Sequence, residues 1–228
     1  MSPERIAAYA KVNLCLAVCG RRPDRFHDID SVVVTIDWHD LVGVRLRPAE
    51  VTTVRLRVAG ETRDLPSADA NLAAAAARAV AAVAGPLEIE LWLDKHIPSA
   101  AGLGGGSADA AAVLRGCASL LAIGAFGADR AAALDHETLL GLAASLGSDV
   151  PVLISGGVSR ARGRGELVTA LTAPPLHLAV AVAGSGSTAA AYAAVEAIDF
   201  EDATRAEAVV AALERGETPD DDLLGSGL

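Results

Sequence analysis

A chain of 228 residues and 23.0 kDa has room for one large domain or two small ones around a sizeable core. With 52% hydrophobic and 21% charged residues it is neither disordered, collagen-like nor a coiled coil. A net charge of −10 gives no general attraction to a phosphate backbone, so nucleic-acid binding is not expected.

The charge is uneven: residues 196–228 carry ten acids and two bases, so the acidity sits in the tail. Cys15, Cys19 and Cys117 are odd in number and lack metal-type spacing, which fits a reducing compartment and argues against a disulfide framework or a zinc site. Lys11 comes too early for a signal-peptide apolar core, and Pro and Gly interrupt the longest uncharged stretch. The expectation is a cytoplasmic protein without membrane association.

Residues 6–18 alternate with period two and predict a half-buried strand whose opposite face carries Tyr9, Lys11, Asn13 and Cys15. Short β-branched runs at 31–37, 41–47 and 51–58 predict an antiparallel sheet. An alanine-rich helix over 71–84 stops at Gly85-Pro86, and 87–93 reads as a strand. After a glycine-rich loop comes a second alanine-rich helix over 107–121 with Ser107 as its N-cap. Further on, 137–146 reads as a helix, 150–154 as a short buried segment, and 157–162, 167–171 and 176–182 as strands. Helices over 188–198 and 202–215 close the pattern, with disorder expected around Pro219–Asp222 and Gly225–Gly227.

The strongest chemical signal is the loop Pro98, Ser99, Ala100, Ala101, Gly102, Leu103, Gly104, Gly105, Gly106, Ser107, Ala108. Its glycines let backbone N–H groups converge on an anion, and the following helix adds its positive end. It fits neither the P-loop nor the G-x-G-x-x-G fingerprint. Only two of the 19 basic residues are lysine: Lys11 shares a strand face with Asn13, and Lys95 lies three residues before Pro98. Asp149, between a glycine turn and an apolar run, is placed for partial desolvation. His27 reads as an exposed loop histidine; Arg160, Arg162 and Arg164 could bind phosphate, but three arginines on a short hairpin read first as a solvated face.

Ala8 to Leu14, Phe26-His27, Asn71-Leu72, the glycine loop and Leu146 to Pro151 together resemble the GHMP small-molecule kinases, in motif order and spacing, from about residue 6 to at least Tyr192. The resemblance implies an α+β GHMP kinase fold. An S5-like nucleotide-binding N-terminal domain would span 1–155, and a ferredoxin-like C-terminal domain 156–228, incomplete and ending in the acidic tail. It implies ATP as co-substrate, with Mg2+ bridged mainly by the ATP phosphates and no protein metal site. The loop from Pro98 to Ala108 would hold the phosphates, Asn71, Leu72 and Lys95 would lie near the nucleoside, and Lys11 and Asp149 would be catalytic. Asn13, Phe26, His27, Thr188 and Tyr192 would line the substrate site, with Phe26 and Tyr192 sandwiching a cytosine ring.

The implied reaction is phosphorylation of the 2-hydroxyl of a cytidylylated methylerythritol in non-mevalonate isoprenoid biosynthesis. A GHMP kinase for another small alcohol and a non-catalytic nucleotide-binding relative remain the alternatives. Two departures from the family pattern stand out: Arg25-Phe26-His27 replaces Gly-Tyr-His, and Ala100-Ala101 stands where a further glycine is usual. Few apolar residues follow Arg215 to cover the strands at 167–182, so an open sheet or self-association is expected.

Overall fold

The computed structural model describes residues 3–61, 67, 70–123, 126–182, 184, 186, 188–196 and 200–226, with no statement on the side chains of 188 and 189. The chain opens with two long strands, β1 (Glu4–Arg21) and β2 (His27–Pro48). The runs at 31–37 and 41–47 are thus one strand. The polar step between them is no turn, because Asp40 points inward and its carboxylate accepts the N–H groups of His96 at 2.5 Å and Ile97 at 2.8 Å.

Two compact units form, and their segments alternate along the sequence. The first takes residues 1–10, 37–99 and 104–154; the second takes 11–36, 100–103 and 155–228.

In the first unit β3 (Thr53–Gly60) leads through α1 (Leu72–Ala84) into β4 (Leu87–Lys95). β4 pairs antiparallel with β2 but parallel with β3. The all-antiparallel expectation fails here because α1 carries the chain back along the sheet as a crossover, which only a parallel pair needs. Asn71 caps α1, its side chain accepting the Ala73 N–H at 2.9 Å, and Gly85 at φ +85° ends it.

α2 (Gly105–Ala122) packs on the sheet through Gly116, where a Cβ would meet Ile6 Cδ1 at 2.6 Å and Val44 Cγ2 at 3.2 Å. α3 (Ala128–Ala132), not expected from the sequence, precedes α4 (His136–Leu146), which Asp135 caps. α5 (Val150–Ser155) makes the short buried segment a six-residue helix.

In the second unit the first part of β2 pairs antiparallel with β5 (Val158–Gly163), and β5 with β6 (Leu167–Leu171). α6 (Thr188–Ala194) is followed by α7 (Thr204–Glu214), whose Ala206, Val209 and Leu213 pack on Leu14, Cys15, Val32 and Val34. Leu223 and Leu224 join that core, and β7 (Gly225–Ser226) pairs parallel with β1 at Cys15 and Leu16. The tail expected to be disordered therefore packs through two leucines as far as Ser226, while residues 227 and 228 lie outside the described part.

The strand expected at 176–182 forms no ladder with the described strands, and Leu178, Val180 and Val182 are exposed. Its alternation sets an extended backbone, but a strand also needs a partner edge. Arg160 is no solvated side chain either: it grips Asp30 with two bonds, at 2.8 and 2.6 Å, between β5 and β2.

Candidate active site

In the first unit the glycine loop opens α2 from Gly104, an N-cap in the left-handed region with no side-chain cap bond. Ser107 lies inside the first turn instead of capping it, because a left-handed glycine starts the helix three residues earlier than an Ser cap would. With no side-chain cap at Gly104, the N–H groups at the helix start have the geometry and field to receive an anion.

Leu72 underlies this turn, its Cδ1 3.8 Å from where a Cβ on Gly106 would stand. Ser99 Oγ is buried with no hydrogen-bond partner among the described residues. Pro98 is half-buried, and Ala108 is buried and closes the first helical bond onto the Gly104 carbonyl at 2.8 Å. Asp149 is half-buried at the start of α5, where its carbonyl accepts the Leu153 N–H at 3.2 Å.

Lys95 ends β4 and is 3% exposed, its ammonium bonded to Asp40 and, at 2.6 Å, to Asp109 on α2. Asp109 was not singled out by the sequence reading, although it stands one turn past the glycines. Burial pushes its carboxyl up to about 7, with Lys95 opposing that shift.

In the second unit Lys11 lies on β1 and is 8% exposed. Its ammonium donates to Asn13 Oδ1 at 2.7 Å, Asn13 Nδ2 donates to Ser31 Oγ at 2.8 Å, and Ser31 Oγ donates to the Cys15 carbonyl at 2.7 Å. This one-way relay fixes the amide of Asn13 and with it the direction of the lysine. Ser31 is the member that sequence reasoning missed; its small hydroxyl in a β-branched run was the available signal.

The Lys11 N–H also donates to the Leu103 carbonyl at 3.0 Å, and the Gly186 N–H to the Ala100 carbonyl at 2.9 Å, anchoring residues 100–103. Ala101 is half-buried and Gly102 exposed at φ +75°. Ala100 sits at φ +56° and Arg25 at φ +71°, both non-glycine residues in the left-handed region. Arg25 stands where the family resemblance implies glycine, and Ala100 is one of the two alanines where it implies a further glycine.

His27 is buried, not exposed: its ring stacks on Tyr192 at 5.4 Å and meets Phe200 edge-on at 6.5 Å. The reading as a loop histidine failed because these two partners are remote in sequence. Phe26 is exposed, with the Arg164 guanidinium 4.9 Å over its ring. Tyr192 is therefore engaged by His27 and Phe26 by Arg164. Thr188 opens α6, and its side chain lies outside the described residues. Among the described residues no cluster of His, Cys, Asp or Glu could hold a metal, and no helix is long and apolar enough to cross a membrane.

The model of the GHMP kinases N terminal domain matches residues 71–157, which include the helix cap, the glycine loop and Asp149. A kinase of Pelotomaculum thermopropionicum is 39% identical over 216 residues, covering 93% of this chain and 71% of that protein. The chain belongs to the GHMP kinase family and has its α+β fold.

That relative is named 4-diphosphocytidyl-2-C-methyl-D-erythritol kinase. So is a protein of Salinispora arenicola, 44% identical over 194 residues that cover 83% of this chain and 58% of the relative. The crystal structure of a 4-(cytidine 5'-diphospho)-2C-methyl-D-erythritol kinase superposes with TM-score 0.66 at 33% identity, over 95% of this chain and 73% of that one. The chain thus spans about 58% of the length of its Salinispora relative.

Proposed function

We propose that this protein transfers the γ-phosphoryl group of ATP to the 2-hydroxyl of 4-diphosphocytidyl-2-C-methyl-D-erythritol. Likeness to kinases of that name supports the choice of substrate. The observation that carries the chemistry is the ordered ammonium of Lys11, fixed by Asn13, Ser31 and the Cys15 carbonyl.

An alcohol is a weak nucleophile at neutral pH. In this reading Asp149 accepts the hydroxyl proton as the oxygen attacks the γ-phosphorus and the bond from that phosphorus to the bridging oxygen breaks, releasing ADP. Lys11 stabilises the charge that develops on the transferred group. The uncapped start of α2 and the N–H groups of the glycine loop hold the phosphates, and Mg2+ enters on the nucleotide as the Mg–ATP complex. Asn71, through its backbone, and Leu72 flank the nucleoside. Phe26 and the His27–Tyr192 pair receive the cytidyl end, with Thr188 beside them.

We place the reaction in the cytoplasm on the strength of the three free cysteines. The exposed alternation of Leu178, Val180 and Val182 supports self-association of the chain.

The test of the chemistry is Asp149→Asn. It keeps shape and removes the proton acceptor, so kcat should fall on the order of 10² to 10⁴-fold while Mg–ATP still binds. Unchanged turnover in a folded variant would remove Asp149 from the mechanism.

A further inference from the structure

The floor of the glycine loop is a buried cluster of three charged side chains. Asp40 comes from β2, Lys95 from the end of β4 and Asp109 from the first turns of α2. Both oxygens of Asp40 are engaged: one takes the N–H groups of His96 and Ile97, and the other takes the ammonium. Asp109 is not. Its Oδ2 accepts from Lys95 at 2.6 Å, but its Oδ1 is buried with no hydrogen-bond partner among the described residues. Lys95 Nζ stands 3.5 Å from where a Cβ on Gly105 would be, so the ammonium lies directly under the loop.

With all three groups ionised the cluster carries one net negative charge; with a proton on Asp109 it is neutral. A triphosphate above a buried negative floor is repelled, and the low local dielectric makes that repulsion larger than it is in water. We propose that Asp109 is a positioning residue for nucleotide, holding Lys95 beneath the glycine loop and admitting phosphate in its protonated form.

This rests on the reading of that loop as the ATP phosphate site. Lys95 is then the post that ties β4 to α2, and no direct contact with the nucleoside is needed from it. The charged groups acting on Asp109 are Lys95 and Asp40, and burial outweighs the lysine, so its proton exchanges close to neutral pH. Because an anionic ligand favours the protonated form, nucleotide affinity should fall as pH rises through that range.

The experiment is calorimetric titration of the full chain with Mg–ATP between about pH 6 and pH 8.5, in two buffers of different ionisation enthalpy. Wild type should take up a fraction of a proton on binding. Its Kd should rise roughly 3- to 10-fold from about pH 7 to about pH 8.5. Asp109→Asn, neutral at every pH, should lose both the uptake and the slope. Binding by wild type that is pH-independent and proton-neutral would overturn the proposal and leave the reading of the loop standing. So would a folded Asp109→Asn variant that keeps the slope. Absence of Mg–ATP binding by wild type at every pH would defeat the reading of the loop, and this inference with it. Should Asp109→Asn fail to fold, the proton uptake of wild type decides alone.

Discussion

Asp109 bears on stability as well as on nucleotide. Its carboxyl is raised from an ordinary 3.8 to about 7 by burial, so the folded state holds the proton over a range in which the unfolded chain has released it. Stability therefore declines as pH rises from about 4 towards about 7 and levels off above that. Urea unfolding of wild type should show this decline, and Asp109→Asn should flatten it; an equal slope in both would contradict the assignment. Ala100 makes a second residue-scale case. An L-residue in the left-handed region costs roughly 1–2 kcal/mol, which glycine avoids at some cost in unfolded-state entropy. At φ +56°, Ala100→Gly should stabilise the protein by up to about 1 kcal/mol in thermal or urea unfolding, and a loss of stability would contradict the strain. Both alanine and arginine could be marked from sequence as standing where the resemblance implies glycine, but only the backbone angles reveal that they adopt the left-handed conformation. The glycine loop, Lys11 and Asp149 stand out in the sequence as candidates because their residue types are chemically unusual in their settings. Asp109 and Ser31 do not, since what distinguishes them is a partner from a remote strand.

At the scale of elements, helices were the easiest to read, because Asn71 and Asp135 cap them by local bonds and Gly85 ends one by its own backbone angle. Strands gave up less. Period-two alternation located β1, and short β-branched or apolar runs located β3, β4, β5 and β6, yet such runs could not distinguish a turn at residues 38–40 from a continuous strand. That difference lies in Asp40, whose carboxylate is spent on the backbone of residues 96 and 97. The apolar run at 176–182 also reads as a strand, where no edge among the described strands receives it. The Asp30–Arg160 pair shows what a strand pair can hide: Asp30 is buried, and the guanidinium is its charge partner. Arg160→Leu leaves that carboxylate unpaired and should cost about 3–5 kcal/mol in urea unfolding. Adding Asp30→Asn should recover part of the loss. A cost below about 1 kcal/mol for the single variant would show that water reaches the pair.

At the scale of the molecule, each strand of the β1–β2 start supplies residues to both compact units, and residues 100–103 belong with the second unit while the loop around them belongs with the first. No shift in composition marks such a division, because the same strand continues through it. Nor does composition reveal that the acidic tail contributes Leu223 and Leu224 to the core under α7. Neither point bears on the proposed phosphoryl transfer, which turns on whether the chain acts on the cytidyl alcohol or on another. The direct measurement is coupled ADP release by the 228-residue chain, supplied in parallel with Mg–ATP and 4-diphosphocytidyl-2-C-methyl-D-erythritol, mevalonate or homoserine. The account predicts turnover with the cytidyl substrate, abolished by Asp149→Asn, and none with the other two. Turnover of mevalonate or homoserine with none of the cytidyl compound would contradict it.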